Sequence, residues 1–137
     1  MPRKQFDLIV FDWDGTLMDS TAAIVKSMQA AAKDLGLPVP DNKSASYVIG
    51  LGLQDAMQTL MPDLDPAAYP RMVERYKHQY LSQDHELTLF DGVPEMLDQL
   101  SSDGYFLAVA TGKSRVGLNR ALDAVGMMSL FDATRCA

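Results

Sequence analysis

The stretch LIVFDWDGTLMDS, residues 8–20, joins a continuous apolar run to two aspartates and a glycine. An uninterrupted apolar strand is typical of a parallel sheet covered by helices, so we predict a strand over Leu8–Phe11 that is buried on both faces. Asp12 and Asp14 follow at its carboxyl end, where open α/β sheets bind ligands. Residues two apart leave a strand on the same side, and Gly15 permits a sharp turn. The stretch therefore predicts two carboxylates at one site.

A second α/β unit is predicted beyond residue 89. The apolar spacing over residues 93–100 indicates a helix, and the run YFLAVA at 105–110 indicates a second buried strand. Another helix is predicted over 114–125, and residues 133–137 are suited to a third strand. This alternation predicts an α/β fold, a Rossmann-like, doubly wound parallel sheet with right-handed crossovers.

Between these parts, the sequence predicts helices only. Ile24, Met28, Ala31 and Leu35 form one apolar stripe, and Asp65 and Pro66 are suited to cap and begin a later helix. We therefore expect a discontinuous α/β core over residues 1–20 and 89–137, with its C-terminal part missing. A helical-bundle cap is expected over residues 21–88.

Composition narrows the class of protein. The chain has 137 residues and a net charge of −6, which disfavours nucleic acid and anionic membranes as partners. The single cysteine, Cys136, excludes an internal disulfide and favours a reducing compartment, so we expect a cytoplasmic protein. No targeting segment or membrane span is recognised. Because the chain is acidic, an anionic substrate would need a local positive charge, such as a metal ion.

Two converging carboxylates repel each other unless a cation joins them or one is protonated. Mg²⁺ prefers oxygen ligands and keeps several waters, so Asp12 and Asp14 are candidate metal ligands. One aspartate can attack a phosphoryl group while the other protonates the leaving oxygen, which gives an aspartyl-phosphate intermediate. Thr111 and Gly112 follow the second strand and are candidates to hold the phosphoryl oxygens. An ordinary Asp-Gly turn is the alternative interpretation.

The two segments LIVFDWDGTLMDS and LAVATGK resemble the first and second motifs of the haloacid dehalogenase-like superfamily, in the branch with a helical cap after the first motif. Phosphoglycolate phosphatases and β-phosphoglucomutase-like enzymes share this architecture. The resemblance implies that Asp12 is the nucleophile and a magnesium ligand. It implies that Asp14 is the general acid/base and binds the metal through its backbone carbonyl.

The same resemblance assigns the remaining site residues. The backbone amides of Trp13 and Asp14 would contact the phosphoryl group, and Thr111 would supply the second-motif hydroxyl. Lys113 is a weaker candidate for phosphate binding, since its place at a helix start favours a surface or rim charge. His78 and His85 lack a ligand array, which favours solvated side chains.

The sequence departs from the family pattern beyond the second motif. The third-motif lysine and the fourth-motif acidic pair are not supplied convincingly, so we expect the chain to be an N-terminal fragment with little or no turnover alone. We also expect an open sheet edge that allows self-association.

Three hypotheses follow. The first is a Mg²⁺-dependent phosphohydrolase of a small phosphorylated metabolite, such as phosphoglycolate or a sugar phosphate. The second is a phosphomutase or phosphotransferase of the same superfamily. The third is an inert structural or interaction module.

Overall fold

The computed structural model describes residues 3–137, and within them the chain forms a parallel sheet and helices. The elements divide into two compact units, one running to Asp19 and resuming at Thr88–Ala137, the other spanning Ser20–Leu87. In chain order they are β1 (Leu8–Phe11), α1 (Thr21–Asp34), α2 (Asn42–Tyr47), α3 (Leu53–Leu60), α4 (Ala68–Leu81), a short 3₁₀ helix (Asp84–Glu86), α5 (Val93–Ser102), β2 (Phe106–Ala110), α6 (Arg115–Ala124) and β3 (Ala133–Arg135).

The first unit is an α/β sheet in the order β1-β2-β3, with both pairings parallel. Its central strand, β2, buries Leu107, Ala108 and Val109 in succession. Helix α5 packs against β2, and its fully buried residue is Leu97. A continuous apolar run in the middle of a parallel sheet is expected when helices cover the sheet. The predicted α/β fold class with a parallel sheet is confirmed.

The predicted burial of β1 on both faces is wrong. Leu8 is 48% exposed and Val10 is 55% exposed. Within residues 3–137, β1 pairs with β2 on one side only, so it is an edge strand. Leu8 and Val10 are two residues apart and so share one face of the sheet, and Phe106, which pairs with Leu8 on the central strand, is 59% exposed, so the three side chains form an apolar patch on that face.

The second unit is helical. Its core lies between α1 and α4 and receives side chains from α2 and α3. Ala31, Met57 and Met72 are fully buried in this cluster. Small residues on α1 let its partner helices approach closely, and the methionines fill the irregular space that remains.

Two local predictions in this unit need correction. Helix α4 begins at Ala68, so Asp65 and Pro66 do not cap and begin it. The Asp65 carboxylate accepts a hydrogen bond from the Ala67 amide at 3.0 Å and forms a turn before the helix. Helix α2 was not predicted, because six residues are too few for a periodic pattern; Asp41 caps it by accepting from the Ser44 amide at 2.7 Å.

Among the described residues, no helix has the length and apolar character needed to span a membrane.

Candidate active site

The loop after β1 is closed by backbone hydrogen bonds to one carbonyl. The Trp13 carbonyl accepts from the amides of Thr16, Leu17 and Met18 at 3.0 to 3.1 Å. Gly15 lies in this turn between Trp13 and Thr16 and has φ 77°, a conformation that glycine adopts at no steric cost. The loop is thus a fixed turn that holds Asp12 and Asp14 at the carboxyl end of β1.

The side chain of Trp13 anchors this turn in the core. It is fully buried and meets Phe131 edge to face, with 6.4 Å between ring centroids. Its Nε1–H has no hydrogen-bond partner among the described residues. The backbone amide of Trp13 donates to Oδ1 of Asp12 at 2.7 Å. This bond fixes the orientation of the exposed Asp12 carboxylate.

The turn after β2 carries the other candidate residues. The Thr111 amide donates to the Arg135 carbonyl at 3.0 Å, which ties this turn to the end of β3. The Thr111 hydroxyl oxygen accepts from the Lys113 amide at 3.1 Å. A hydroxyl that accepts one hydrogen bond can still donate its own hydrogen, so Thr111 retains a donor for a bound anion. Ser114 then caps α6 by accepting from the Gly117 amide.

Parallel register brings the two turns to the same edge of the sheet. Phe11 pairs with Val109, so Asp12 follows this pair by one residue and Thr111 by two. The carboxyl ends of neighbouring parallel strands share one edge, which is where such sheets bind ligands.

Lys113 makes the direct contact between the two turns. Its Nζ lies 3.3 Å from Oδ2 of Asp14, and the side chains are only 14% and 13% exposed. The interpretation of Lys113 as a surface or rim charge is therefore wrong. The signal was absent from the sequence because the partners are 99 positions apart. An ion pair held this far from water is stronger than one on an open surface.

Other candidates lie outside this arrangement. His78 and His85 are both exposed, as expected for solvated side chains. Asp132, which the sequence analysis did not single out, accepts a hydrogen bond from the Leu107 amide at 2.9 Å through its carboxylate and so fixes the start of β2.

The oxygen donors at this edge of the sheet suit only part of a Mg²⁺ site. Within residues 3–137, no group of three or more His, Cys, Asp or Glu side chains could hold a metal ion. The Asp12 carboxylate is a suitable oxygen donor for a cation that keeps several waters. Oδ2 of Asp14 faces the Lys113 ammonium at 3.3 Å, and this contact competes with a cation for that oxygen. These residues fit part of a magnesium site.

The chain is similar to known proteins in sequence and in fold. The family model for haloacid dehalogenase-like hydrolases matches residues 9–137. "Probable phosphatase IndB" of Dickeya dadantii is 37% identical over 130 residues, which cover 91% of this chain and 56% of that protein. "Tyrosine-protein kinase PtkA" of Mycobacterium tuberculosis is 32% identical over 132 residues, covering 96% of this chain and 44% of that protein.

A solved structure extends the likeness to the fold. The crystal structure of a predicted phosphoglycolate phosphatase from Haemophilus somnus matches with a TM-score of 0.85 and 28% identity, covering 98% of this chain and 64% of that one. A parallel α/β sheet with acidic and hydroxyl residues at its carboxyl edge defines the class. The chain belongs to the haloacid dehalogenase-like hydrolase family. It spans about half the length of the curated relatives it matches.

Proposed function

We propose that the protein is a Mg²⁺-dependent phosphohydrolase acting on a small phosphorylated metabolite, such as phosphoglycolate or a sugar phosphate. The observation that carries the proposal is the meeting of the two strand-end turns through Asp14 and Lys113. Family membership and the relatives named as phosphatases support it. The named substrates are taken from those relatives and their family.

The proposed reaction has two steps, and each atom is accounted for. Asp12 attacks phosphorus, the bond to the leaving oxygen breaks, and Asp14 gives its proton to that oxygen. Asp14 then accepts a proton from water, whose oxygen attacks the aspartyl phosphate and releases inorganic phosphate and free Asp12. Thr111 donates to a phosphoryl oxygen. Gly112 and the backbone amides of Trp13 and Asp14 line the position of the same phosphoryl group. When bound, Mg²⁺ neutralises phosphoryl charge.

Replacing the nucleophile tests the proposal. Asp12→Asn keeps the shape of the side chain but removes its nucleophilic charge, so Mg²⁺-dependent phosphate release from p-nitrophenyl phosphate should fall by about 10³-fold or more. Asp7→Asn is the matched control, because Asp7 is exposed and precedes β1. It should leave the rate unchanged. Undiminished release by Asp12→Asn would refute the proposal.

A phosphotransferase is the second candidate, because one relative is named a tyrosine-protein kinase. In that reaction, a substrate hydroxyl replaces water in the second step. Product analysis with a sugar monophosphate separates the two, since a hydrolase releases inorganic phosphate and a transferase forms a new phosphate ester.

We also propose that residues 1–137 alone turn over little, because the described residues offer no three-residue metal cluster. In that case these residues are an inert structural or interaction module, and we propose a cytoplasmic location because the chain has a single cysteine. The helical unit, Ser20–Leu87, is proposed as the cap. Self-association through the β1 edge is proposed for the isolated segment, because Leu8 and Val10 are half exposed there.

A further inference from the structure

We infer that Arg115 is a positioning residue for the turn after β2, and that it acts through a two-point contact with Thr134 of β3. This inference rests on the proposed function, in which Thr111 in that turn holds a phosphoryl oxygen. Arg115 is the first residue of α6 and so directly follows the turn. Its guanidinium donates from Nη1 to the Thr134 hydroxyl oxygen and from Nη2 to the Thr134 carbonyl oxygen, the second at 3.1 Å.

The geometry of the guanidinium suits it to this contact. Its N–H groups form a planar fork with fixed directions, whereas a lysine ammonium is a compact charge on a flexible stem. One bond reaches a side-chain oxygen and the other reaches a backbone oxygen of the same residue. Arg115 therefore restrains the backbone of β3 as well as one of its side chains.

Strand β3 is short, so a contact from outside the sheet adds substantially to what holds it. It spans Ala133–Arg135, and within residues 3–137 it pairs with β2 alone. Arg115 joins this strand to α6, the helix that follows the turn. The start of α6 and the end of the sheet are thus held together.

Backbone hydrogen bonds join the same two segments of chain. The Thr111 amide donates to the Arg135 carbonyl at 3.0 Å, and the Ala137 amide donates to the Lys113 carbonyl at 3.1 Å. The position of Thr111 therefore depends on how firmly the turn and β3 are joined. A displacement of about 1 Å at a group that contacts substrate can cost about 100-fold in rate. The contact between Arg115 and Thr134 is made by side chains, so substitution can remove it.

The first test compares two substrates in the full-length protein. Arg115→Met should lower kcat/KM by about 10- to 100-fold, and by the same factor for an alkyl phosphate and for p-nitrophenyl phosphate, because both present the same phosphoryl group to Thr111. Arg71→Met, at an exposed arginine of α4, is the matched control and should leave both rates unchanged. A loss confined to one of the two substrates would overturn the inference.

A second set of variants separates position from charge. Thr134→Val changes no charge and removes only the hydroxyl acceptor, so it should lower kcat/KM by about 3- to 10-fold. Thr134→Ser keeps both oxygens and should retain the wild-type rate. Arg115→Lys keeps the charge but loses the fork, so it should remain impaired. Full activity of Thr134→Val or of Arg115→Lys would overturn the inference and leave Arg115 with a charge effect alone.

Kinetic double-mutant cycles show whether Arg115 acts through Thr134 and on Thr111. Arg115→Met should cause no further loss in a Thr111→Val background, because no hydroxyl remains to be positioned, and Thr134→Val should add nothing to Arg115→Met. Additive losses in either cycle would overturn the inference, and the proposed function would survive that result. Full activity of Asp12→Asn in the same assay would overturn both.

Discussion

At the scale of single residues, Trp13 has a structural role in a motif whose neighbouring residues are the candidate catalytic groups. Its flanking carboxylates face the site, while its indole ring is fully buried beside Phe131. The cost of an unpaired buried Nε1–H, about 1–3 kcal/mol, is offset by the large apolar area that the ring removes from water. The ring therefore holds the turn after β1 in place through packing.

This packing can be measured through the free energy of unfolding in urea. Trp13→Ala should lower it by about 3–5 kcal/mol, because a large cavity forms under the turn. Trp13→Phe should lose less, since it keeps a ring against Phe131 and removes the unpaired N–H. Val116→Ala, at a side chain that is 80% exposed, should change it by less than about 0.5 kcal/mol. Equal values for Trp13→Ala and Val116→Ala would show that the ring does not hold the turn.

Local patterns in the sequence predicted the residues of the two turns but not the contacts between them. A strand followed by Asp-x-Asp-Gly is visible over a few positions, so Asp12 and Asp14 were found at once. The Lys113–Asp14 pair and the Trp13–Phe131 contact join residues about a hundred positions apart. Such contacts depend on how β1 and β2 align, which a single sequence does not encode locally.

At the scale of elements, α1 and α4 are joined by a charged group as well as by their apolar core. Asp34 Oδ2 accepts from Arg75 Nε and from Gln79 Nε2, each at 2.6 Å. These bonds hold the pKa of Asp34 below its usual value of 3.8, and the hydrogen bond from Arg75 is the largest cause. Helix periodicity predicted α1 and the apolar face of α4, but it did not reveal this polar link.

The lowered pKa of Asp34 predicts a particular response to acid. Because the folded chain binds this proton less tightly than the unfolded chain, the stabilisation is complete above the unfolded pKa and is lost as the pH falls through the folded pKa. The difference in unfolding free energy between wild type and Asp34→Asn should be largest near pH 6 and shrink below pH 3.8. In Arg75→Met, the free energy of unfolding should depend less on pH over the same acid range. A constant difference across pH would contradict this prediction.

At the scale of the whole molecule, an exposed face of the sheet explains why the burial of β1 was misjudged. The run LIVF has the composition of a strand buried on both faces, yet Leu8 and Val10 on one face of β1 are about half exposed, and so is Phe106 on the neighbouring strand. Composition reports how apolar a strand is, whereas burial depends on which strands and helices lie beside it. Within residues 3–137, β1 also pairs with a strand on one side only, and this open edge motivates the last prediction.

Exposed apolar side chains beside unpaired backbone groups make the edge of β1 a template for pairing with a second copy. Residues 1–137 in isolation should therefore show a rise in mean mass with concentration in sedimentation equilibrium. Val10→Lys places a charge on this edge at a side chain that is 55% exposed, and it should shift the population toward monomer. Val39→Lys, at a side chain that is 53% exposed in the helical unit, is the matched control and should leave association unchanged. A monomeric wild type at all concentrations, or an equal effect of both lysines, would exclude pairing through β1.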